Sequence, residues 1–402
     1  MQTIAGGVTA PSGFLAAGVV ADIKGKGGDK KDVAVLFSRV PCSAAGVYTR
    51  NKVKAAPILV SQPRTAAGRL QAVVINSGNA NACTGEQGIK DAEAMAELAA
   101  RALGLEPQAV AVASTGVIGV PLPMDRVAKG IRAAAASISE DGGAAAAAAI
   151  MTTDTTDKQA AVRFELGGVP VTIGAMAKGS GMIHPNMGTM LAFVTTDAAV
   201  DATALQVALK AATEKSFNMV TVDGDTSTND CVIALANGMA KNPLVVLGSA
   251  LYDTFARALD AVLIDLAKQV AADGEGATKL LEVQVRGAAS QQDARLAARA
   301  VCASSLVKAA VFGADANWGR VLCALGYSGA EFDPLKVDLW LGDMPMMKAG
   351  APVAFDEGAA LKLLQEKTVL FIADLHAGSE AATAWGCDLT YDYVKINGAY
   401  RT

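Results

Sequence analysis

Histidine is the residue type that this sequence has least of, since its 402 residues include only His184 and His376. A catalytic triad built on imidazole therefore has two candidate bases, and a metal centre with several histidine ligands is nearly excluded. This scarcity favours chemistry that needs no imidazole. An N-terminal nucleophile and a lysine Schiff base are two such chemistries.

Charged residues are also sparse, at 18% of the chain, and the formal net charge is -4. This balance argues against nucleic acid or an anionic membrane as the main partner. No apolar run approaches the roughly 18–20 residues of a membrane helix, and residues 1–7 lack the basic start of a signal peptide. We therefore expect a cytoplasmic protein without a membrane segment.

The cysteines contain no C-x-x-C pair, which argues against disulfides and against a zinc site. There are six of them: Cys42, Cys83, Cys231, Cys302, Cys323 and Cys387. We expect reduced, mostly buried thiols and no bound metal.

Apolar residues make up 52% of the chain, enough for a well-buried core in one large domain or two smaller ones. Strand-like and helix-like segments alternate, with Gly-rich turns between them, which predicts an α/β or α+β fold with helices packed on sheets. Strands are predicted at 71–76, 109–114, 171–177, 337–341, 368–374 and 389–396, and helices at 88–105, 133–149, 202–216, 250–272 and 290–302.

The most informative segment runs from Lys178 to Leu191 and reads KGSGMIHPNMGTML. Its Gly188–Thr189 bond follows a Pro-Asn turn, where a chain could cut itself. Cleavage would leave Thr189 as a new N-terminus, whose α-amine titrates near ~7.7–8.0 and can take the proton of the Thr189 hydroxyl. On spacing alone, an ordinary Gly-rich turn is the alternative.

Three polar clusters have both a functional and a purely structural interpretation. Residues 76–85 (NSGNANACTG) could line a polar pocket or form a loop after a strand. Residues 114–116 (STG) offer a hydroxyl and a backbone N–H that could hold an oxyanion, or end a strand in a simple turn. Residues 152–155 (TTDT) could bind a carboxylate or start a helix.

Two further clusters resemble known motifs only superficially. Residues 223–230 (DGDTSTND) lack the sixth-position glycine and the twelfth-position glutamate of a calcium loop. Residues 273–279 (DGEGATK) lack the glycine spacing of a P-loop, but their Glu275 could present a carboxylate to a cationic ligand. Lys178 could anchor a pyridoxal cofactor, although no phosphate cup is evident.

Taken together, these clusters resemble one family over the whole chain, the ornithine acetyltransferases, also called glutamate N-acetyltransferases, of cyclic arginine biosynthesis. The ordered matching blocks are NSGNANACTG from Asn76, STGVIG from Ser114, MTTDT from Met151, KGSGMIHPNMGTML from Lys178, DGDTSTND from Asp223, DGEGATK from Asp273, NWGR from Asn317 and CDLTYDYVKIN from Cys387. Chance agreement of so many ordered blocks is negligible.

The resemblance implies a precursor that cuts itself between Gly188 and Thr189. The α chain would be residues 1–188 and the β chain residues 189–402, and the two would remain associated and pair again into an α2β2 heterotetramer. The implied fold is a two-domain α/β sandwich similar to that of the self-cleaving β-aminopeptidases.

The resemblance also implies the roles of individual residues. Thr189 would be the nucleophile that carries the acetyl group, and Thr115 and Gly116 would form the oxyanion hole. The implied substrate-binding residues are Thr152, Lys178, Thr189, Glu275, Asn397 and Thr402. The implied reaction moves acetyl from N2-acetyl-L-ornithine to L-glutamate, and no metal or organic cofactor is needed.

Several alternatives stay open at this point. A related aminopeptidase or amidohydrolase would pass the acyl group from Thr189 to water, and an amino-acid sensor would bind without turnover. Acetyl-CoA could serve as a second donor, and we expect a bifunctional enzyme that also makes N-acetylglutamate from it. Two positions depart from the common family pattern: Gly188, which should ease the strained geometry of cleavage, and His184, which could assist proton transfer or lie in a surface turn.

Overall fold

The computed structural model describes residues 1–184 and 190–399. The candidate residues Gly188, Thr189 and Thr402 lie outside this range. The strands of the described part are β1 Gln2–Ile4, β2 Phe14–Val19, β3 Val33–Tyr48, β4 Arg69–Asn76, β5 Val110–Ser114, β6 Lys158–Leu166, β7 Val169–Lys178, β8 Leu191–Thr196, β9 Val220–Thr221, β10 Cys231–Ala236, β11 Leu280–Ala288, β12 Asp338–Leu341, β13 Met344–Lys348, β14 Ala351–Pro352, β15 Thr368–Asp374 and β16 Glu380–Cys387.

The α-helices surround and separate these strands. They are α1 Ala56–Ala66, α2 Gly85–Leu103, α3 Met124–Ala136, α4 Gly143–Ala149, α5 Ala202–Lys215, α6 Ala250–Ala272, α7 Gln291–Ala303, α8 Ser305–Phe312, α9 Trp318–Gly326, α10 Glu357–Gln365 and α11 Tyr391–Ala399. In the described part, no helix combines the length and the apolar character needed to span a membrane.

The strands form two sheets of nine and seven strands, which confirms the predicted mixture of sheets and helices. The larger sheet has the order β1-β6-β7-β8-β10-β3-β4-β5, with β2 paired to β3. Within it, β8 lies between β7, to which it is antiparallel, and β10, to which it is parallel. The smaller sheet has the order β14-β13-β12-β15-β11-β16-β9.

The larger sheet is buried on both faces, and the alternation of side chains along β8 shows how. Ala192 and Val194 point into one core cluster, whereas Leu191 and Phe193 point into another. Because successive side chains on a strand face opposite sides, each face must be apolar for the strand to be covered by protein on both. This explains why β8 and β10 read as nearly continuous apolar runs.

Helix α6 connects the two sheets, since it packs against β6 and β7 of the larger sheet and against β11 and β16 of the smaller one. Its buried residues recur at helical spacing and include Phe255, Leu259, Leu263 and Leu266. The helix begins at Ser249, whose side chain accepts a hydrogen bond from the Tyr252 N–H.

Most of the segments predicted from periodicity are present, and two predictions are wrong. The segment 133–149 is not one helix, because a turn separates α3 from α4; Ser139 in this turn exchanges two backbone hydrogen bonds with Ala16 of β2, at 2.9 and 3.0 Å. The segment 389–396 is not a strand. It forms α11, in which the Thr390 hydroxyl accepts from the Tyr393 N–H, so a helix cap overrides the local β propensity.

The packing of α6 gives a testable expectation for stability. Leu259 is fully buried between the sheets, so Leu259→Ala should lower the free energy of unfolding by about 2–5 kcal/mol through lost burial and a residual cavity. Leu244→Ala is the matched control, because Leu244 is 57% exposed and should change stability by less than about 0.5 kcal/mol. Urea unfolding of both variants checks this, and equal effects would contradict the assigned core.

Candidate active site

A cavity of about 210 Å³ opens where β7 ends and where β8 and β10 begin. Six of the residues selected from the sequence line it: Thr115, Gly116, Thr152, Lys178, Glu275 and Asn397. Asn229, Asp230 and Tyr393 also line it and were not selected from the sequence. Residues from the ends of β5 and β7 therefore meet residues from the smaller-sheet half of the chain in one polar cavity.

Thr115 and Gly116 follow β5 and form one wall. The Thr115 N–H donates to the Asn76 carbonyl at 3.0 Å, which leaves the hydroxyl as the group that Thr115 can offer to an anion. Lys178 Nζ donates to that hydroxyl at 3.5 Å. Gly116 has φ +132°, and a Cβ there would lie 2.3 Å from the carbonyl carbon of Gly78, so this wall requires glycine.

The segment 76–85 supports the wall from behind. Asn76 accepts a hydrogen bond from the Ser114 hydroxyl at 2.6 Å, and Asn79 and Asn81 donate their side-chain amides to backbone carbonyls. Asn229 ties the segment to β5, because its amide donates to the carbonyls of Ala80 and Ser114. These amides act mainly as a hydrogen-bonded framework for the cavity.

A buried ion cluster joins the segments that carry Thr152, Lys178 and Glu275. Lys158 Nζ lies 2.8 Å from Asp154 Oδ1 and 2.5 Å from Asp273 Oδ2. The same Asp154 carboxylate accepts from the N–H groups of Thr152 and Gly179, at 3.0 and 2.7 Å. Although burial opposes ionisation, Lys178 and Lys158 hold the pKa of Asp154 well below its usual range.

Glu275 supplies the carboxylate of the opposite wall and is 7% exposed. The Asn397 amide of α11 donates to Glu275 Oε2 at 2.7 Å. A Cβ at Gly181 would lie 2.3 Å from that carboxylate, so the glycine lets Glu275 pack against the Lys178 loop. Lys178 and Glu275 thus place a cation and an anion in the same cavity, which Asp223, Asp225 and Asp230 also line.

The chain is anchored on the side that leads into residues 185–189. The Asp223 carboxylate accepts from the N–H groups of Met182 and Ile183, at 2.6 and 2.8 Å. The Thr226 hydroxyl donates to the carbonyl of His184 at 2.8 Å. The segment 223–230 therefore fixes the backbone that precedes the candidate cleavage site.

His184 is partly buried, and both of its ring nitrogens are engaged. Arg299 Nη2 lies 2.9 Å from Nε2, and Thr221 Oγ1 lies 3.0 Å from Nδ1. Because a guanidinium only donates, Nε2 must accept and Nδ1 must carry the proton. Burial and the Arg299 charge lower the pKa of His184 to about 4. The ring is therefore a neutral structural link, placed neither in a surface turn nor as an open proton carrier.

Among the described residues, no group of three or more His, Cys, Asp or Glu side chains is placed to hold a metal ion. The cysteines of this part are free thiols, of which Cys83 and Cys323 are exposed and the other four buried. The polar side chains that line the described cavity carry hydroxyl, amide, ammonium and carboxylate groups.

The environment of His184 predicts a pH dependence of stability. Its folded pKa lies below the unfolded value of about 6.5, so the stability it contributes is complete above pH 6.5 and is lost as pH falls toward 4. His184→Gln keeps an acceptor for Arg299 but has no group that titrates in this range. The free energy of unfolding should therefore fall at low pH by about 1–2 kcal/mol less than in the wild-type protein, after allowance for partial exposure. Urea unfolding at several pH values between 5 and 7 measures it.

His376→Gln is the matched control, because its effect has the opposite sign. A hydrogen bond from the exposed His376 ring to Asp338 raises the pKa of His376, so that contact stabilises the fold at low pH and is lost as pH rises. An unchanged pH dependence in His184→Gln would contradict the neutral buried state.

Comparison with known proteins identifies the family of this chain. The model of the ArgJ family matches residues 15–402. A protein of Symbiobacterium thermophilum named arginine biosynthesis bifunctional protein ArgJ is 73% identical over 402 residues and covers 100% of both chains.

Two solved structures are similar to parts of the chain. The arginine biosynthesis bifunctional protein argJ of Bacillus halodurans is 49% identical with a TM-score of 0.52, over 53% of this chain and 100% of that one. The ornithine acetyltransferase of Mycobacterium tuberculosis, solved with ornithine, is 46% identical with a TM-score of 0.43, over 46% of this chain and 96% of that one. From the match over nearly its whole length, this chain belongs to the ArgJ family of arginine-biosynthesis enzymes.

Proposed function

We propose that this enzyme transfers the acetyl group of N2-acetyl-L-ornithine to L-glutamate through an acetyl ester on Thr189. The observation that carries the proposal is the composition of one cavity. It joins an oxyanion-binding wall at Thr115 and Gly116, a cation at Lys178 and a carboxylate at Glu275, beside the strand that begins two residues after Thr189.

The charges of the cavity suit an acylated diamino acid. Lys178 and the Thr152 hydroxyl are complementary to the substrate α-carboxylate, and Glu275 is complementary to the ornithine side-chain ammonium. Asn397 holds Glu275 in place, and Thr402 would close the same end of the cavity. With the two ends of the substrate bound to opposite charges, its acetylated α-nitrogen is presented to Thr189.

The reaction follows in two half-reactions. The Thr189 hydroxyl attacks the acetyl carbonyl, its α-amine takes the proton, and the oxyanion is held at Thr115 and Gly116. Ornithine leaves with the proton on its nitrogen. The glutamate amine then attacks the acetyl ester and releases N-acetylglutamate and the free hydroxyl. These steps need no metal or organic cofactor.

A free α-amine at Thr189 requires cleavage after Gly188. One comparison supports such a cut: the Bacillus halodurans chain, matched over its full length, spans 53% of this sequence. A β chain of residues 189–402 would hold 214 of 402 residues, which is the same share.

The sheet pairing explains why the two pieces would stay together. Strand β8 of the second piece is hydrogen-bonded to β7 of the first, and β10 of the second is hydrogen-bonded to β3 of the first. Residues 1–188 and 189–402 would therefore share one continuous sheet and both of its core faces. We propose that the associated pieces pair again as an α2β2 heterotetramer in the cytoplasm.

We further propose a second donor. Acetyl-CoA would acylate the same Thr189 and so supply N-acetylglutamate beyond what recycling provides. The name of the Symbiobacterium thermophilum relative includes the word bifunctional, which supports this extension.

Thr189→Ala tests the nucleophile directly. The variant should remain a single 40.8 kDa chain and lose acetyl transfer, because it has no hydroxyl to cut the chain or to carry acetyl. Intact mass and an assay with N-acetylornithine and glutamate check both points. The wild-type protein should show two masses split after Gly188, and an active single chain would contradict the proposal.

The same assay separates the transferase from the hydrolase alternative. A transferase forms N-acetylglutamate when glutamate is present, with ping-pong kinetics. A hydrolase releases acetate at a rate that glutamate does not change, and that result would favour the aminopeptidase-like reaction.

Glu275→Gln tests the proposed ammonium subsite. Loss of the negative charge should raise KM for N-acetylornithine at least about tenfold, since a charged hydrogen bond contributes roughly 1.5–3 kcal/mol, with a smaller change in kcat. Glu140→Gln is the control, because Glu140 pairs with Arg39 on the surface. Steady-state kinetics of both variants decide, and an unchanged KM in Glu275→Gln would remove Glu275 from the subsite.

A further inference from the structure

A second cavity adjoins the active-site cavity and has no task in the reaction between N-acetylornithine and glutamate. It measures about 210 Å³ and is lined by residues of the loop 20–32, by Ser77 and Gly78, and by Met151 and Thr152. Thr152 lines both this loop cavity and the active-site cavity. The two cavities therefore share a wall.

The loop 20–32 gives the loop cavity an excess of positive charge. Three exposed lysines line it: Lys24, Lys26 and Lys30. Two carboxylates of the same loop, those of Asp22 and Asp32, line it as well. The cavity is thus locally cationic, although the formal net charge of the protein is -4.

Both carboxylates accept hydrogen bonds from N–H groups of the loop itself. Asp32 is 8% exposed and accepts from the N–H groups of Ala21 and Ile23, each at 2.6 Å. Asp22 bonds in the same way to two N–H groups further along the loop, at 3.0 and 3.1 Å. The carboxylates therefore hold the shape of the loop, and the lysine ammonium groups set the charge that an entering ligand meets.

Glycines keep the rim of the loop cavity open. Gly27 and Gly28 line it, with φ of +71° and +111°. A Cβ at either position would have no described heavy atom within 4 Å. Because these residues have no side chain, a ligand can approach the loop backbone closely.

The loop is fixed against the active-site cavity at two points. Lys30 Nζ donates to the Thr152 carbonyl at 2.6 Å. Lys24 lies over Gly78, since a Cβ at Gly78 would be 3.2 Å from Lys24 Cγ. Gly78 in turn lies directly behind Gly116 of the proposed oxyanion-binding wall. A ligand bound at the loop is therefore held next to the cavity in which acyl transfer is proposed.

The two cavities together define the chemistry of such a ligand. Lysine ammonium groups bind phosphate groups as point charges. The active-site cavity is the proposed place of the acyl group. A ligand that occupies both must carry phosphate at one end and an acyl group at the other. Acetyl-CoA has this form, because a flexible pantetheine arm joins its acetyl thioester to a phosphorylated nucleotide.

We propose that the loop cavity binds the phosphorylated nucleotide of acetyl-CoA, and that the pantetheine arm passes Thr152 into the active-site cavity. This inference rests on the proposed use of acetyl-CoA as a second donor and names its binding site. N-acetylornithine carries no phosphate group and does not contact the loop. The two donors thus share the active-site cavity but only one of them needs the lysines.

The double variant Lys24→Gln/Lys26→Gln tests the site, because it removes two exposed charges and leaves the bond between Lys30 and Thr152 in place. KM for acetyl-CoA should rise about tenfold, the combined effect expected for two exposed charge pairs. KM and kcat with N-acetylornithine should not change. Steady-state assays with each donor measure this, and an equal loss with both donors would overturn the proposal.

The double variant Lys362→Gln/Lys367→Gln is the matched control. Both lysines are exposed and line neither cavity, and the change in net charge is the same. KM for acetyl-CoA should stay at the wild-type value, and thermal melting reports the fold of both double variants.

A donor without phosphate isolates the proposed contact. S-acetylpantetheine keeps the thioester and the arm of acetyl-CoA but lacks the nucleotide. Its KM should be the same in the wild-type protein and in Lys24→Gln/Lys26→Gln. A tenfold rise for this donor as well would show that the lysines do not act on the phosphate groups.

Lysine footprinting decides the question without turnover. Wild-type protein is reductively methylated with and without excess CoA, and peptide mass spectrometry reads the modification of each lysine. CoA should protect Lys24 and Lys26, N-acetylornithine should protect neither, and Lys362 should react equally in all samples. Full reactivity of Lys24 and Lys26 in excess CoA would remove the ligand from the loop cavity.

These outcomes separate the site from the proposed function. A protein that uses N-acetylornithine but neither uses acetyl-CoA nor shows protection would refute the second donor and this site, and leave the ornithine reaction standing. A protein inactive with N-acetylornithine would refute the proposed function, whereas protection by CoA would still support the site. Use of acetyl-CoA that Lys24→Gln/Lys26→Gln does not alter would refute the site alone.

Discussion

The geometry of the cavity depends on one buried carboxylate, that of Asp154. It binds the Lys158 ammonium and the N–H groups of Thr152 and Gly179, so it fixes two walls at once. Asp273 is the third member of the cluster, and it lies two residues before Glu275. Removing one partner of such a buried pair would leave an uncompensated charge, which costs about 3–5 kcal/mol. The walls of the cavity are therefore positioned by electrostatics inside the protein.

The second constraint is the position of β8 within the larger sheet. Its first residue is flanked by the end of β7 and the start of β10, so the groups that end or precede those strands converge on it. Lys178 comes from one neighbour and Asp230 from the other. The start of β8 thus lies between Lys178 and Asp230, although these two residues are far apart in the sequence.

Hydrophobic periodicity predicted those segments whose structure is decided locally, such as β4, α5 and α6. It failed at 133–149 and 389–396, where a contact with β2 and a helix cap override the propensity of the residues. For the site, the family resemblance supplied six residues that line one cavity. The Lys158 cluster was not predictable, because Asp273 joins it from 115 positions away. Asp230 is the last residue of the block 223–230, to which neither the failed calcium pattern nor the family resemblance assigned a site residue.

The larger sheet contains strands from both sides of the proposed cut, and this would affect how the protein refolds. A precursor folds as a unimolecular process, with its strands tethered to one another. Once severed, the halves would have to find each other by diffusion after any complete unfolding, so recovery would become dependent on concentration. Cleavage would therefore make refolding inefficient. The cleaved enzyme would stay folded because it unfolds slowly, and not because it refolds readily.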